Sequence, residues 1–147
     1  MKRMLALGAV LFVAGCGEGP KHIPKADYQH GKAAFEMLQQ YEKTSSNSFS
    51  QAADQQIDAI SSQHMDNGLF SALLGYNVAI GERLSARLRL TSAEESKQTK
   101  ATKAIQEIEP IIKLCRDDAA QYFDAAAAST NTCNAALTAY RAKYKPS

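Results

Sequence analysis

Apolar side chains recur at intervals of three and four residues through most of this chain. That spacing places them on one face of an α-helix. Short polar or glycine-containing breaks divide the pattern into five segments, which predict helices over about residues 26–43, 48–65, 69–90, 92–128 and 133–144. The links between the segments are short, as in bundles whose neighbouring helices run antiparallel. The pattern therefore predicts an all-α antiparallel bundle of about five helices.

Apart from the amino terminus, the third segment is the most apolar part of the chain. Its wide apolar arc predicts a central helix packed on several sides, along the line Leu69, Leu73, Ile80, Leu84 and Leu88. Gly75 and Gly81 weaken a helix, so we expect a neighbouring helix to pack closely there. The same features suit an alternative, a core cavity that binds a small apolar ligand. Arg83, Arg87 and Arg89 follow in the last turns, where cations favour the helix dipole.

The fourth segment keeps the phase of its apolar positions on both sides of Pro110, which predicts one kinked helix. Its predicted buried line is Ala101, Ile105, Ile108, Ile112, Cys115, Ala119, Tyr122 and Ala126. Stretches with capping-box spacing stand at the start of the second segment, at 48–51, and at the start of the fourth, at 91–94 with an overlapping alternative at 92–95.

The amino terminus has a different pattern. Lys2 and Arg3 precede an uninterrupted run of small and apolar residues over 4–15, and Cys16 ends the run. These twelve residues are too few to cross a hydrocarbon core, which takes about twenty. A positive start followed by a short apolar run predicts a secretory signal peptide.

Val13-Ala14-Gly15-Cys16 resembles the lipobox of bacterial lipoproteins, in which a branched apolar residue, a small residue and Gly or Ala precede the cysteine. The resemblance covers residues 1–16 only. It implies a diacylglyceryl group on the Cys16 sulfur, cleavage after Gly15 and a fatty acid on the new amino terminus. Gly17, rather than Asp, follows the cysteine, which in enterobacterial lipoproteins favours the outer membrane. The alternative is an ordinary secreted protein with Cys16 as a spare thiol.

Removal of residues 1–15 leaves 132 residues, enough for one domain with a single core. We expect residues 16–25 to form the acylated cysteine and a flexible tether, and residues 26–147 to form a single helical domain. The full chain has 17 cations and 15 anions, and two of the cations leave with the signal. A neutral domain argues against nucleic-acid binding and against electrostatic attachment to anionic headgroups. We therefore expect the lipid bilayer to hold the domain through Cys16, on the periplasmic side.

Cys115 and Cys133 remain once the first cysteine is assigned to the anchor. An oxidising compartment favours a disulfide between them. If the fourth helix runs unbroken to Ala128, an antiparallel neighbour carries Cys133 too far away for a bridge, which needs Cα atoms within about 7 Å. A bridge therefore requires residues 117–132 to fold back, for which Asp117-Asp118 offers the start of a short helix. Otherwise both cysteines are free core residues on the same helical face.

The chain carries no sequence motif of catalysis or metal binding that we recognise. The histidines His22, His30 and His64 are far apart, and the cysteines lack C-x-x-C spacing. The adjacent carboxylates Glu94-Glu95 and Asp117-Asp118 lie near predicted helix starts, where capping accounts for them. We therefore predict no metal, no cofactor and no enzymatic activity.

These features predict a membrane-anchored, non-enzymatic lipoprotein that presents a helical module to a protein partner in the cell envelope. The candidate contact surfaces are a lysine face, made of Lys97, Lys100 and Lys103, and a cluster of Arg83, Arg87 and Arg89. Charge patterns of this kind are also typical of a solvated face. An inhibitor or immunity lipoprotein is a special case of the same interpretation.

Overall fold

The computed structural model describes residues 23–60 and 68–144, and this part of the chain forms five helices and no strand. The helices are α1 (Lys25–Thr44), α2 (Asn47–Asp58), α3 (Leu69–Arg89), α4 (Glu95–Ala120) and α5 (Cys133–Tyr144). The all-α prediction is confirmed. None of the described helices combines the length and the apolar character that a bilayer-spanning helix needs.

α4 and α5 run antiparallel, as predicted for neighbours in the bundle. At the start of α5, Cys133 is bonded to Cys115 of α4. At the end of α5, Lys143 lies 2.6 Å from the carboxylate of Glu107, two turns earlier in α4. Residues later in α5 therefore contact residues earlier in α4, so the two helices run in opposite directions.

α3 and α5 run parallel to each other. Asn134, in the first turn of α5, donates a hydrogen bond of 2.7 Å to Ser71, in the first turn of α3. Arg141, in the last turn of α5, pairs with Glu82 further along α3 at 3.1 Å. Parallel helices are not consecutive in an up-and-down bundle, and here α4 separates these two in the chain.

α3 contacts each of the other four helices, which confirms the prediction of a central helix. The predicted core side chains in its first half are buried, namely Leu69, Leu73 and Ile80. The predicted apolar line of α3 is not buried along its whole length, since Leu84 is half-buried and Leu88 is 64% exposed. α1 ends at the same level, where Arg87 donates a hydrogen bond to Ser45, the residue that follows α1. The last turn of α3 therefore lies outside the core.

The predicted tether ends earlier than residue 25. Ile23 is fully buried in the core, and Pro24 occupies the position before α1 in an extended conformation. The Pro24 carbonyl accepts a hydrogen bond of 2.9 Å from the Tyr28 N–H, which ties the entry of the chain to the helix. Ile23 and Pro24, which were predicted to belong to the tether, therefore belong to the helical domain, and the rest of the predicted tether lies outside the described residues. Cys16 and the signal residues lie outside the described ranges.

Two helix ends differ from the prediction. α2 ends at Asp58, earlier than the predicted end near residue 65, and residues 61–67, with His64, lie outside the described ranges. α4 continues through Pro110 as predicted, but it ends at Ala120 rather than at residue 128. Ala126, predicted to be buried, is exposed.

The predicted capping boxes are wrong. α2 is preceded by Ser46 and α4 by Glu94, and neither side chain caps its helix. Ser92 instead accepts a hydrogen bond of 3.2 Å from the Glu94 N–H within the turn before α4. A capping box needs its first residue at the N-cap position, and both helices begin at a different residue from the one that the pattern required.

Candidate functional site

The hairpin made by α3 and α4 extends beyond its neighbours at one end of the bundle. We use the term hairpin tip for residues 87–103, which comprise the end of α3, the connecting turn and the first turns of α4. Every residue from 93 to 100 is exposed. A helix packed on a neighbour buries at least one residue in each turn. Within the described residues, no other helix covers 93–100, so this part of the hairpin tip presents its surface to solvent.

Two leucines are exposed on the hairpin tip. Leu88 is 64% exposed and Leu90 is 39% exposed. Apolar surface in water costs about 25 cal/mol per Å², so both residues favour a contact that covers them. Sequence reasoning missed this surface because the helical spacing assigned Leu88 to the buried line. The available signal was its position between Arg87 and Arg89, two charges that a core does not accommodate without partners.

The hairpin tip is basic, with five cations and two anions. The cations are Arg87, Arg89, Lys97, Lys100 and Lys103. Lys97 pairs with Glu94 at 2.6 Å. Arg89 and Lys100 form no salt bridge with any residue of 23–60 or 68–144. Arg87 pairs with Glu109 at 3.9 Å. Within the described residues, the hairpin tip therefore presents Arg89 and Lys100 as cations without a salt bridge, beside its two leucines.

The structure brings the predicted lysine face and Arg87 together on the hairpin tip, whereas Arg83 lies elsewhere. Arg83 is only 6% exposed. Its guanidinium pairs with Glu109 of α4 at 3.2 Å and donates a hydrogen bond to the backbone carbonyl of Glu42, at the end of α1. Arg83 therefore joins three helices, and that position leaves it little surface for a partner. Whether the exposed cations bind a partner stays a prediction.

The base of the hairpin is fixed by a half-buried polar cluster around Glu42. The Glu42 carboxylate accepts a hydrogen bond from Arg116 of α4 at 2.6 Å and another from the Tyr76 hydroxyl of α3. Burial, and then the hydrogen bond to Glu42, raise the pKa of Tyr76 well above its usual value. Tyr76 is therefore a neutral donor under ordinary conditions. The cluster holds α1, α3 and α4 in a defined arrangement below the hairpin tip.

Cys115 and Cys133 form a disulfide, with Cα atoms 4.7 Å apart. The predicted bridge is confirmed in this geometry. The objection to it assumed that α4 continues to residue 128, and that assumption was wrong. Because α4 ends at Ala120, only a short loop separates Cys115 from the start of α5. The chain folds back as an irregular loop over 121–132, without the predicted short helix.

Asp118 determines how this loop returns. One carboxylate oxygen accepts hydrogen bonds from the Ser129 hydroxyl and from the N–H groups of Thr130 and Asn131, at 2.8 to 3.0 Å. The other accepts the Cys133 N–H at 2.8 Å. Burial by itself raises the pKa of Asp118, but these hydrogen bonds outweigh it and hold the pKa below its usual value. Asp118 was predicted to begin a helix; it instead lies near the end of α4 and caps α5.

Gly75 lies where α3 meets the disulfide. A Cβ atom placed on Gly75 would lie 2.8 Å from the Cys133 sulfur and 2.8 Å from the Asn134 side-chain oxygen. The predicted close approach of a neighbouring helix is therefore correct at this glycine. At Gly81 the nearest atom, the Tyr41 hydroxyl oxygen, is 4.0 Å away. The space that a core ligand would use at Gly75 is filled, so the small-ligand alternative gains no support there.

Titratable groups do not converge in the manner of a metal centre. Across 23–60 and 68–144, no three His, Cys, Asp or Glu side chains are grouped so that they could hold a metal ion. His30 contacts the Gln56 side chain of α2 at 2.9 Å, which is a structural contact between two helices. The prediction that the protein is not an enzyme stays a prediction.

No family model, no curated protein and no solved structure matches this chain.

Proposed function

We propose that this protein is a non-enzymatic lipoprotein of the outer membrane that docks an envelope protein through its hairpin tip. The observation that carries the proposal is the presence of two exposed leucines, Leu88 and Leu90, on a surface where Arg89 and Lys100 form no salt bridge with any described residue. Apolar anchors with a charged rim are typical of protein interfaces. The positive charge favours an acidic partner surface, because complementary charges accelerate association and reject wrong partners.

The anchor is supported by the sequence around Cys16. A single saturated chain binds a membrane only marginally, so stable attachment takes a second lipid signal, and a triacylated cysteine provides it. Mass spectrometry of the membrane fraction tests this part. We expect a mature chain that begins at a lipid-modified Cys16, and we expect Cys16→Ser to abolish both the lipid mass and membrane attachment. An unmodified amino terminus in the membrane fraction would contradict the anchor.

Photocrosslinking in cells tests the docking surface. A photoreactive amino acid at position 88 of the anchored protein is expected to give a discrete adduct with one envelope protein. The same amino acid at position 113 serves as the control, because Lys113 is also exposed on α4 but lies far from the hairpin tip. Equal adducts from both positions, or no adduct from position 88, would contradict the proposal.

The crosslinked protein then permits a quantitative test with purified components. Leu88→Ser is expected to weaken binding about tenfold, since covering an exposed leucine contributes about 1.5 kcal/mol. Lys113→Ser is the matched control and is expected to leave the affinity unchanged. The identity of the crosslinked protein also decides whether the role is that of an adaptor or of an inhibitor, because both dock in the same way.

A further inference from the structure

A groove follows the seam between the parallel helices α3 and α5. It consists of two adjoining hollows of about 310 and 600 Å³ that share Thr138 and Arg141 in their walls. We use the term α3–α5 groove for this continuous depression. The α3–α5 groove is a different surface from the hairpin tip, because α5 forms one of its walls. Arg89 is the one residue that belongs to both surfaces.

One hollow of the α3–α5 groove is lined in part by apolar side chains, namely Leu74 and Val78 of α3 and the buried Leu137 of α5. The polar part of its wall consists of Ser71, Asn134, Thr138 and Arg141. Leu74 is 42% exposed, although large apolar side chains on this bundle are otherwise mostly covered. This half of the groove suits an apolar side chain from another molecule.

The other half of the α3–α5 groove is basic. Arg89 and Arg141 line it with a single anion, Glu82. Arg141 pairs with Glu82 through its Nε at 3.1 Å, and its side chain remains 62% exposed. Arg89 has no salt-bridge partner among the described residues. Guanidinium groups bind carboxylates through paired N–H donors, so this half of the groove suits an acidic side chain.

The two hollows adjoin, since Thr138 and Arg141 line both of them. Leu137 and Arg141 are four residues apart on α5, which is about 6 Å along a helix at about 1.5 Å per residue. We propose that the α3–α5 groove binds a segment of the partner protein that carries an apolar side chain and, close to it, a carboxylate. This inference rests on the proposed function, because it assigns a second contact with the same docked protein.

Selection from a random peptide library tests the groove independently of any known partner. The probe is a displayed library of peptides about 12 residues long, which span about 18 Å as a helix. The bait is the purified full chain. We expect the selected peptides to combine an apolar residue with Asp or Glu. Selected peptides without acidic residues, or no selected peptides at all, would overturn the proposal.

Variants of the groove locate the binding site of the selected peptides. Leu74→Ser and Arg141→Glu are each expected to weaken binding about tenfold, since each removes one anchor. Replacing the acidic residue of the peptide by Lys is expected to restore binding to Arg141→Glu, which a merely misfolded variant would not do. Thermal melts check that each variant is folded. Peptides that bind both variants as tightly as the original chain would overturn the proposal.

The hairpin tip provides the control that separates this inference from the proposed function. Leu88→Ser is expected to leave the affinity of the selected peptides unchanged, since Leu88 lies outside the groove walls. Peptides sensitive only to Leu88→Ser would contradict the groove and leave the hairpin tip as the docking surface. Groove-binding peptides together with a failed crosslink at position 88 would contradict the hairpin tip instead.

Discussion

The carboxylate of Asp118, near the end of α4, accepts a hydrogen bond of 2.8 Å from the backbone N–H of Cys133, the first residue of α5. A side chain of another helix therefore caps the first N–H of α5. The disulfide joins Cys133 to Cys115 just one turn before Asp118. A covalent bond and a buried carboxylate thus fix the same junction, and α5 depends on both for its position against α3 and α4.

Substitution of Asp118 tests this cap. Asp118→Ala leaves the N–H groups of Thr130, Asn131 and Cys133 without their acceptor, so we expect the free energy of unfolding to fall by about 2 kcal/mol. Asp117→Ala is the matched control, because the neighbouring carboxylate pairs with the exposed Lys113 on its own helix. We expect the control to change stability by less than about 0.5 kcal/mol. Urea denaturation of both variants gives the comparison, and equal losses would show that the cap is not specific.

The charge of Asp118 makes this stabilisation depend on pH. Its folded pKa lies below its usual value, so its contribution is complete above the unfolded pKa of about 3.9 and is lost as the pH falls through the folded pKa. Asp118→Asn keeps an oxygen acceptor but does not titrate. We therefore expect the wild-type chain to exceed this variant in stability near neutral pH, and the difference to shrink below about pH 4. Parallel stability curves down to about pH 2 would contradict the assignment.

The disulfide is expected to contribute about 3 kcal/mol, because it closes a loop of this size in the unfolded chain. The double variant Cys115→Ala and Cys133→Ala should show that loss in denaturation. A reductant should lower the stability of the wild-type chain by a similar amount and leave the double variant unchanged. If the reduced wild-type chain keeps its denaturation midpoint, the buried carboxylate alone fixes the junction and the prediction is wrong.

Two buried tyrosines are expected to respond in opposite ways to loss of their hydroxyl groups. Burial raises the pKa of Tyr140 to about 12, and within the described residues its hydroxyl has no hydrogen-bond partner. Tyr140→Phe therefore removes an unsatisfied group and should leave stability unchanged or raise it by up to about 1 kcal/mol. Tyr76→Phe removes the donor to Glu42 and should cost about 1 to 2 kcal/mol.

The raised pKa of Tyr140 also predicts an alkaline effect. The unfolded chain ionises this tyrosine near pH 10, ahead of the folded chain, so the stability that it contributes is lost as the pH rises from about 10 through 12. Tyr140→Phe should weaken that loss. Denaturation of both chains across this range checks the result, and identical alkaline losses would place the titrating group elsewhere.

The sequence predicted the five helices and the central position of α3, because those features follow from the spacing of apolar residues. It did not predict the end of α4. The alanines at 125–128 favour helix by propensity and continue the apolar phase, yet they lie in a loop. The loop N–H groups that follow find their acceptor in Asp118, and the disulfide requires the chain to return. Both are tertiary contacts, which a local pattern does not contain.

The candidate site was predicted only in part, again because contacts between helices decide which residues are exposed. Charge spacing identified Lys97, Lys100 and Arg87, which the structure places on the hairpin tip. The same spacing could not distinguish the buried Arg83 from these exposed cations, because its partners Glu109 and Glu42 lie on other helices. It also assigned Leu88 to the core, because periodicity continues along α3 after the neighbouring helices have ended. The length of each neighbour decides which residues are covered, and it is known only from the fold.

Two glycines of α3 provide a matched test of the packing around the disulfide. A Cβ atom on Gly75 would lie 2.8 Å from the Cys133 sulfur, which the disulfide prevents from moving freely. We therefore expect Gly75→Ala to destabilise the protein by about 1 to 3 kcal/mol, despite the better helix propensity of alanine. Gly81→Ala has the same change in propensity and meets its nearest atom only at 4.0 Å. It should therefore stabilise the protein by about 1 kcal/mol.

The disulfide also determines how the Gly75→Ala variant responds to reduction. When the bond between Cys115 and Cys133 is broken, α5 is free to shift away from the added methyl group. The penalty of Gly75→Ala relative to the original chain should then shrink, whereas the gain from Gly81→Ala should stay the same, because its site has no contact with the disulfide. Denaturation of the three chains with and without reductant measures both differences. An unchanged Gly75→Ala penalty would mean that α5 keeps its position without the bond, and that Asp118 is sufficient to hold it.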